Sequence, residues 1–428
     1  MKRRQFVQTL SAASAIGTVG LLSGCATGTA GAGAAHVVVV GAGYGGATAA
    51  KYTRLFSEGK VRVTLIEPNP KFISCPISNL VIGSLKNMDF LTHSYDRLQQ
   101  NHGVRLVRDS VTSIDAARRT VRLAGGSEIG YDRLIVSPGI DFMWEGLPGM
   151  ASAEAKARML HAWKAGEQTL ALRRQLEAMP DGGVYAINIP AVPYRCPPGP
   201  YERACLVANY FRKAKPRSKV IIFDANAEIQ SKRGLFTRVF EQQYKDIIEY
   251  RPGHLLTDVH AASNAMRFEV QDEFRPAVAN VLPSMRAGDL ALRAGLANIN
   301  NRWCEVNFQT FESTVAPHIH VLGDAIQGSP GMPKSAHMAN QHGKVSAMAV
   351  VSLLQGQPVP QLPIIANTCY SFVNDTDAMH VSSVHRWDAE RRTLLTVPGS
   401  GGVSVAPTAL EGHYALGWAR NIWADTLG

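Results

Sequence analysis

Two thiols can close to a disulfide, and a thiolate can open one, so paired cysteines are natural carriers of an electron pair. The 428-residue chain has six cysteines: Cys25, Cys75, Cys196, Cys205, Cys304 and Cys369. Cys75 follows closely on an acid, Glu67, in the run SCPISN. Cys196 stands among prolines in RCPPGPYERA, with Glu202 shortly after it, and Cys369 lies in NTCYS. Cys205, beside Leu206 and Ala208, reads as a buried thiol on a helix face, and Cys304, after Trp303, reads as another. Cys196, Cys205, Cys304 and Cys369 allow three pairings, Cys196 with Cys205 among them, and spacing alone does not choose.

An electron pair needs somewhere to go, and the elements ahead of Cys75 supply a place. Residues 37–40 are four valines, a strand buried on both faces. Gly41, Gly43 and Gly46 then spell G-x-G-x-x-G, a helical run covers 47–56, and a second apolar strand, 61–66, ends at Glu67. Gly41 permits the tight turn, Gly43 admits a pyrophosphate to the backbone, and Gly46 lets helix and strand pack closely. The helix N-terminus presents N–H groups and a positive dipole end. Glu67, 21 residues beyond Gly46, is where an acid accepts the ribose hydroxyls. The order strand, loop, helix, strand, acid predicts a dinucleotide site. In a flavin-binding domain of this type the segment after that acid passes the isoalloxazine ring, so Cys75 stands within reach of a flavin.

Short strands are expected through 104–123. Residues 131–139 end in Ser-Pro-Gly, where two-domain flavoproteins usually end the equivalent strand in Ala-Thr-Gly. A helical segment, 151–179, precedes a second βαβ pattern with strands at 182–189 and 219–224. Its phosphate loop is replaced by 190–202, rich in proline, which has no N–H to offer and hinders close approach. The shape of a nicotinamide domain is therefore predicted without its binding chemistry. Residues 310–324 read as a short strand ending at Asp324, an acid suited to the ribitol or pyrophosphate side of FAD, and a helix is expected from about 335. Strands near 370, 378–384 and 393–397 complete the chain.

The whole chain carries a formal net charge of +10. The first 35 residues hold Lys2, Arg3 and Arg4 and no acid, so the remainder is +7. Basic residues are scattered and no recognition motif accompanies them, which excludes a nucleic-acid footprint. No apolar run is long enough to span a bilayer. Residues 1–35 read as a twin-arginine export signal: KRRQFV, a weakly apolar stretch, then small residues. Ala32-Gly33-Ala34 fits ordinary cleavage, the favoured reading. Leu22 to Cys25 also fits a lipoprotein box, which would leave a lipid on Cys25. Export permits disulfides, and an odd count of five remaining cysteines leaves one unpaired or modified.

Taken together, the Gly-rich unit, SCPISN, RCPPGPYERA, VLGDAIQGSPGMPKSAHMANQHGK, NTCYS and WARNIWAD resemble the flavoprotein chain of flavocytochrome c sulfide dehydrogenase, over nearly all of the chain after the signal. That family belongs to the two-domain flavoprotein disulfide reductases and is similar to sulfide:quinone oxidoreductases. The resemblance implies an α/β fold: two Rossmann-like dinucleotide-binding domains of glutathione-reductase type plus a small C-terminal α+β domain. The expected limits are 36–150 with 285–360 for FAD, 151–284 for the second domain, and 361–428 for the C-terminal interface domain. It further implies FAD joined covalently through Cys75, a redox pair of Cys196 and Cys369, Glu202 as a proton acceptor near that pair, and Asp324 on the cofactor. Sulfide would be the substrate, a cytochrome c subunit or soluble cytochrome c the acceptor, and the periplasm the compartment. No C-x-x-C-H occurs, so haem c must sit on a partner.

Other readings stand beside these. Glu202 equally suits a surface helix acid. His318 and His320, two apart on an expected strand, lack a third ligand, and no metal is predicted. Tyr414, Trp418 and Ile422 form a helical stripe that suits core or subunit contact. The competing functions are a membrane-bound sulfide:quinone oxidoreductase and a catalytically silent flavin-binding subunit. An NADH-linked disulfide reductase is the weakest, given the proline loop.

Overall fold

The computed structural model describes residues 33–428. The twin-arginine run, the apolar stretch and Cys25 lie outside the described residues.

The four valines sit at the centre of a seven-stranded sheet. In spatial order its strands are Val306–Asn307, Glu312–Ser313, Ile319–Val321, Arg133–Val136, His36–Val40, Arg62–Ile66 and Arg105–Val107. The last five run parallel, with Val38 opposite Thr64 on one side and Leu134 on the other. Central parallel strands are covered on both faces, which is why Val37, Val38 and Val39 are wholly buried. The helix Tyr44–Phe56 starts directly after Gly43, three residues earlier than the sequence pattern indicates. It packs on the helix Ala336–Leu354, and the two nearly touch backbone to backbone: a Cβ on Gly343 would lie 2.6 Å from the Gly45 carbonyl oxygen.

A second, all-parallel sheet orders Ile248–Arg251, Lys219–Asp224, Val184–Ile189 and Val278–Asn280. A two-stranded ribbon, Ile140–Phe142 with Met285–Ala287, joins the two units where the chain leaves and re-enters the first. The C-terminal part is an antiparallel sheet, Ile364–Phe372, Ala378–Asp388 and Thr393–Thr396, backed by the helix Ala409–Leu427. The fold is thus α/β, with two Rossmann-like units and a small α+β part.

Two expected elements differ. The helix expected over 151–179 is two helices, Ala153–Arg158 and Glu167–Ala178. Between them Ala162 (φ 45°) and Gly166 (φ 152°) leave helical geometry. The strand expected over 310–324 is two short strands, Glu312–Ser313 and Ile319–Val321, followed by a 3-10 turn, Gly323–Ala325, that holds Asp324.

Candidate active site

The Gly-rich loop is built as its spacing requires. Gly41 has φ 89°, and a Cβ there would meet the Ser137 carbonyl oxygen at 2.4 Å. A Cβ on Gly46 would lie 1.8 Å from the Gly41 carbonyl oxygen, so strand end and helix start are pressed together. Gly43 is the opposite case: no heavy atom stands within 4 Å of where its Cβ would be, and its open side is the helix N-terminus. Glu67 accepts from the Ala42 N–H (2.8 Å) and from the Asn69 N–H and Nδ2 (2.9 and 2.6 Å). A carboxylate has about four acceptor positions, so Glu67 keeps capacity for one further donor. Across the cleft, Asp324 Oδ1 is buried without a hydrogen-bond partner. An orphaned buried carboxylate oxygen is costly unless something fills its site. The open face at Gly43, the spare acceptor on Glu67 and the orphaned Asp324 all fit FAD.

The second unit contrasts at the same positions. Asp224 ends its second strand as Glu67 ends that of the first. Its Oδ2 accepts from the Tyr201 and Tyr250 hydroxyls (2.6 and 3.0 Å), and its Oδ1 from the N–H and Nδ2 of Asn226 (2.9 and 2.7 Å). No acceptor position is left for a ribose. In the proline loop the N–H groups also turn inward: Val192 donates to Asn226 Oδ1, Arg195 to the Met285 sulfur and Cys196 to the Lys334 carbonyl.

All five cysteines of the described residues are free thiols. Cys205 and Cys304 are fully buried, as the sequence indicates, and burial pushes both thiols up, Cys304 to about 12. Prolines on both sides of Cys196 suit an exposed rigid loop, but the residue is half-buried. It has φ 58°, and the turn closes where the Gly199 N–H donates to its carbonyl (2.9 Å). A Cβ on Gly199 would press the Cys196 sulfur at 2.9 Å and the Trp163 ring at 2.7 Å. Cys369, also half-buried, lies mid-strand in Ile364–Phe372. The two residues are tied to one segment: the Cys196 N–H donates to the Lys334 carbonyl (2.9 Å), and the Ser335 hydroxyl donates to Asn367 Oδ1 (2.7 Å), which the Cys369 thiol approaches at 3.5 Å. Burial raises the Cys196 thiol most, and the charge of Cys369 adds to it.

Cys75 receives the Ala165 N–H at 3.4 Å and a guanidinium nitrogen of Arg195 at 3.8 Å. Arg195 thus adjoins the expected attachment point, and the charges of Cys75, Asp324 and Cys196 favour its charged form against burial. The turn around Cys75 is held from outside. The Trp423 ring N–H donates to the Tyr44 hydroxyl (3.0 Å), Tyr44 bonds to the Ser74 hydroxyl (2.6 Å), and Ser74 donates to the Pro76 carbonyl (2.8 Å). Lys51 fastens the same helix end through the carbonyls of Ala424 and Asp425.

Glu202 is interior, so the surface-acid alternative fails. Its carboxylate accepts from Asn79 Nδ2 (2.8 Å) and the Phe372 N–H (2.9 Å), and burial pushes its pKa up. Arg203, 1% exposed, holds the helix break in place, donating to the carbonyls of His161 and Ala162 and to Asn79 and Asn280. His320 is buried with Nδ1 against the Thr310 carbonyl, whereas His318 precedes the strand with φ 66° and meets Arg119, so the two do not share a strand face. In the helical stripe, Ile422 is core, Trp418 is half-buried and Tyr414 is exposed. The structure adds Arg195, Arg203, Lys232, Lys334 and Trp163 to the site. Arg195 and Arg203 are signalled by adjacency to Cys196 and Glu202, and Lys334 lies within the VLGD…QHGK segment, whereas Lys232 and Trp163 carried no sequence signal.

Residues 169–283 match the family described as sulfide dehydrogenase (flavocytochrome c) flavoprotein chain, central, and residues 361–427 match flavocytochrome c sulphide dehydrogenase, flavin-binding. Residues 35–177 match pyridine nucleotide-disulphide oxidoreductase. A sulfide dehydrogenase (flavocytochrome c) flavoprotein chain of Chlorobaculum thiosulfatiphilum is 51% identical over 49 residues, 11% of this chain and 100% of that sequence. The mitochondrial sulfide:quinone oxidoreductase of Mus musculus is 26% identical over 341 residues, 76% of this chain and 72% of the relative. The crystal structure of the sulfide:quinone oxidoreductase of Aquifex aeolicus shares the fold, with TM-score 0.76, 18% identity and 92% of each chain covered.

Proposed function

The chain belongs to the flavocytochrome c sulfide dehydrogenase flavoprotein family, and from that premise we propose that it is an exported, periplasmic FAD enzyme that oxidises sulfide and delivers the electrons to a haem c partner or a soluble cytochrome c. The observation that supports the reading is that Cys196, in the proline turn, and Cys369, in the C-terminal sheet, are both tied to the Lys334–Ser335 segment, whose lysine donates to the Asp324 carbonyl (3.0 Å). In the oxidised form of that pair, hydrosulfide bonds to one sulfur, the bond between the cysteines breaks, and the other sulfur leaves as thiolate. The proton stays on the added sulfur, and a second sulfide or thiol later removes it as sulfane or polysulfide. Lys232 brings positive charge to both sulfurs, and Arg195 brings it to Cys196. Glu202, with its raised pKa, is the proton acceptor in this reading. FAD, when bound, supplies a two-electron acceptor that releases electrons singly, as haem requires. Gly43, Glu67 and Asp324 hold it, and Cys75 joins it by a thioether. The satisfied Asp224 and the proline loop argue against NADH as donor.

A second reading, quinone as acceptor, is favoured by the broad match to sulfide:quinone oxidoreductases. Among the described residues no helix is long and apolar enough to cross a membrane.

The test is anaerobic flavin absorbance of the purified protein. Sulfide is expected to bleach it, after a long-wavelength thiolate–flavin band, and NADH is not. Subsequent reduction of cytochrome c, not of a soluble quinone, completes the expectation. Bleaching by NADH alone would refute the reading, and silence towards sulfide with cytochrome present would leave a flavin-binding subunit without catalysis.

A further inference from the structure

Lys232 begins a short helical turn, Arg233–Arg238, between the strands Lys219–Asp224 and Ile248–Arg251 of the second sheet, yet its ammonium lies inside the C-terminal sheet. It is buried, with left-handed backbone, φ 54°. Its Nζ donates to the carbonyl of Cys369 (2.9 Å), the hydroxyl of Ser371 (2.9 Å) and the carbonyl of Met379 (3.4 Å). All three acceptors are neutral. A buried ammonium with neutral acceptors is expensive, and a side chain needed only to tie two strands together could do so uncharged. The ionisable groups facing it are Cys369 first, then Glu202, Cys196 and Glu411. The two sulfurs stand differently towards it. The Ser371 hydroxyl it meets is two residues from Cys369 on one strand, so the ammonium stands on the face that carries the Cys369 sulfur. Burial raises the Cys369 thiol, with Lys232 the strongest influence opposing it, and burial lowers the pKa of Lys232 to about 8, still charged at neutral pH. At Cys196, Cys369 and Glu202 add to burial, with Arg195 and then Lys232 opposing.

We infer that Lys232 is a positioning residue that holds the sulfur of Cys369 as the ionised member of the reduced pair. This rests on the reading of Cys196 and Cys369 as a redox pair and adds which sulfur carries the charge and what keeps it there. Reduction then takes up two electrons and one proton. The disulfide bond breaks, Cys196 becomes a thiol, and Cys369 becomes a thiolate beside Lys232. Sulfide supplies the electrons in turnover.

The holoprotein, reduced anaerobically with a dithiol and freed of it, is pulsed with iodoacetamide from about pH 5 to 10, and labelling of each cysteine is followed by peptide mapping. Cys369 is expected to label before Cys196 at neutral pH. Lys232→Gln keeps a donor and loses the charge, and is expected to move the Cys369 midpoint up by at least about one pH unit, a tenfold slower reaction at neutral pH. Lys232→Arg is expected to restore most of it, and being the milder change it decides the matter if the glutamine variant folds poorly: a midpoint displaced as far as the structural change alone, with no rescue by arginine, overturns the inference. A wild-type profile in Lys232→Gln, or faster labelling of Cys196 in the wild type, overturns it too. A map of the oxidised wild type lacking the Cys196–Cys369 disulfide would overturn the redox-pair reading instead.

Discussion

At the scale of single residues, what decides the site is how many bonds each acid has left to make. Glu67 and Asp224 close equivalent strands, but Glu67 keeps an acceptor free and Asp224 has spent all of its own. Spacing marks both acids, and only the structure shows the tyrosines that occupy Asp224. The cysteine contexts were legible because flanking prolines and glycines are local. Lys232 was not, since its role depends on Cys369, 137 residues away. Two predictions belong here. Gly199→Ala overpacks the Cys196 sulfur against Trp163, at a cost of about 1–3 kcal/mol by chemical denaturation, and should slow bleaching by sulfide while FAD is retained. Glu202 has a folded-state pKa raised above its ordinary 4.5 by burial. The fold therefore favours its protonated form, and the stability this lends is full below the unfolded value and lost as pH rises through the folded one. Relative to Glu202→Gln, the wild type should lose stability as pH rises above the ordinary carboxyl value of 4.5, as read from denaturation midpoints.

At the scale of elements, the strands and the first glycine loop followed from periodicity, and the break at 159–166 did not. Helical spacing continues past Arg158, but the carbonyls of His161, Ala162 and Trp163 are taken by Arg203 and Arg195 rather than by the next turn. Tertiary partners override the local pattern there, and the break is what brings the Ala165 N–H to Cys75. Gly166, at φ 152°, has open space where a Cβ would go, so strain alone opposes a substitution. Gly166→Ala should cost about 1–3 kcal/mol of unfolding free energy without altering the affinity of the nucleotide end of FAD.

At the scale of the molecule, the cradle comes from the sheet around His36–Val40 and the turn Gly323–Ala325, the proposed sulfur pair from a proline turn and a separate sheet, and the support of the Cys75 turn from the helix Ala409–Leu427. Fold class was visible in the order of strands and helices, whereas this convergence was visible only through family likeness. Trp423→Ala should leave flavin bound but largely extractable on denaturation, because the bond to Tyr44 that steadies the Ser74–Pro76 turn is lost. The partners of that bond are 379 positions apart, with the cradle made first and the brace last. During synthesis, therefore, a nascent chain acquires the means to capture its cofactor well before it acquires the means to secure it. With flavin joined to Cys75 as proposed, a chain halted short of Trp423 is expected to hold flavin loosely and give it up, so that firm attachment would mark that translation has run past this point.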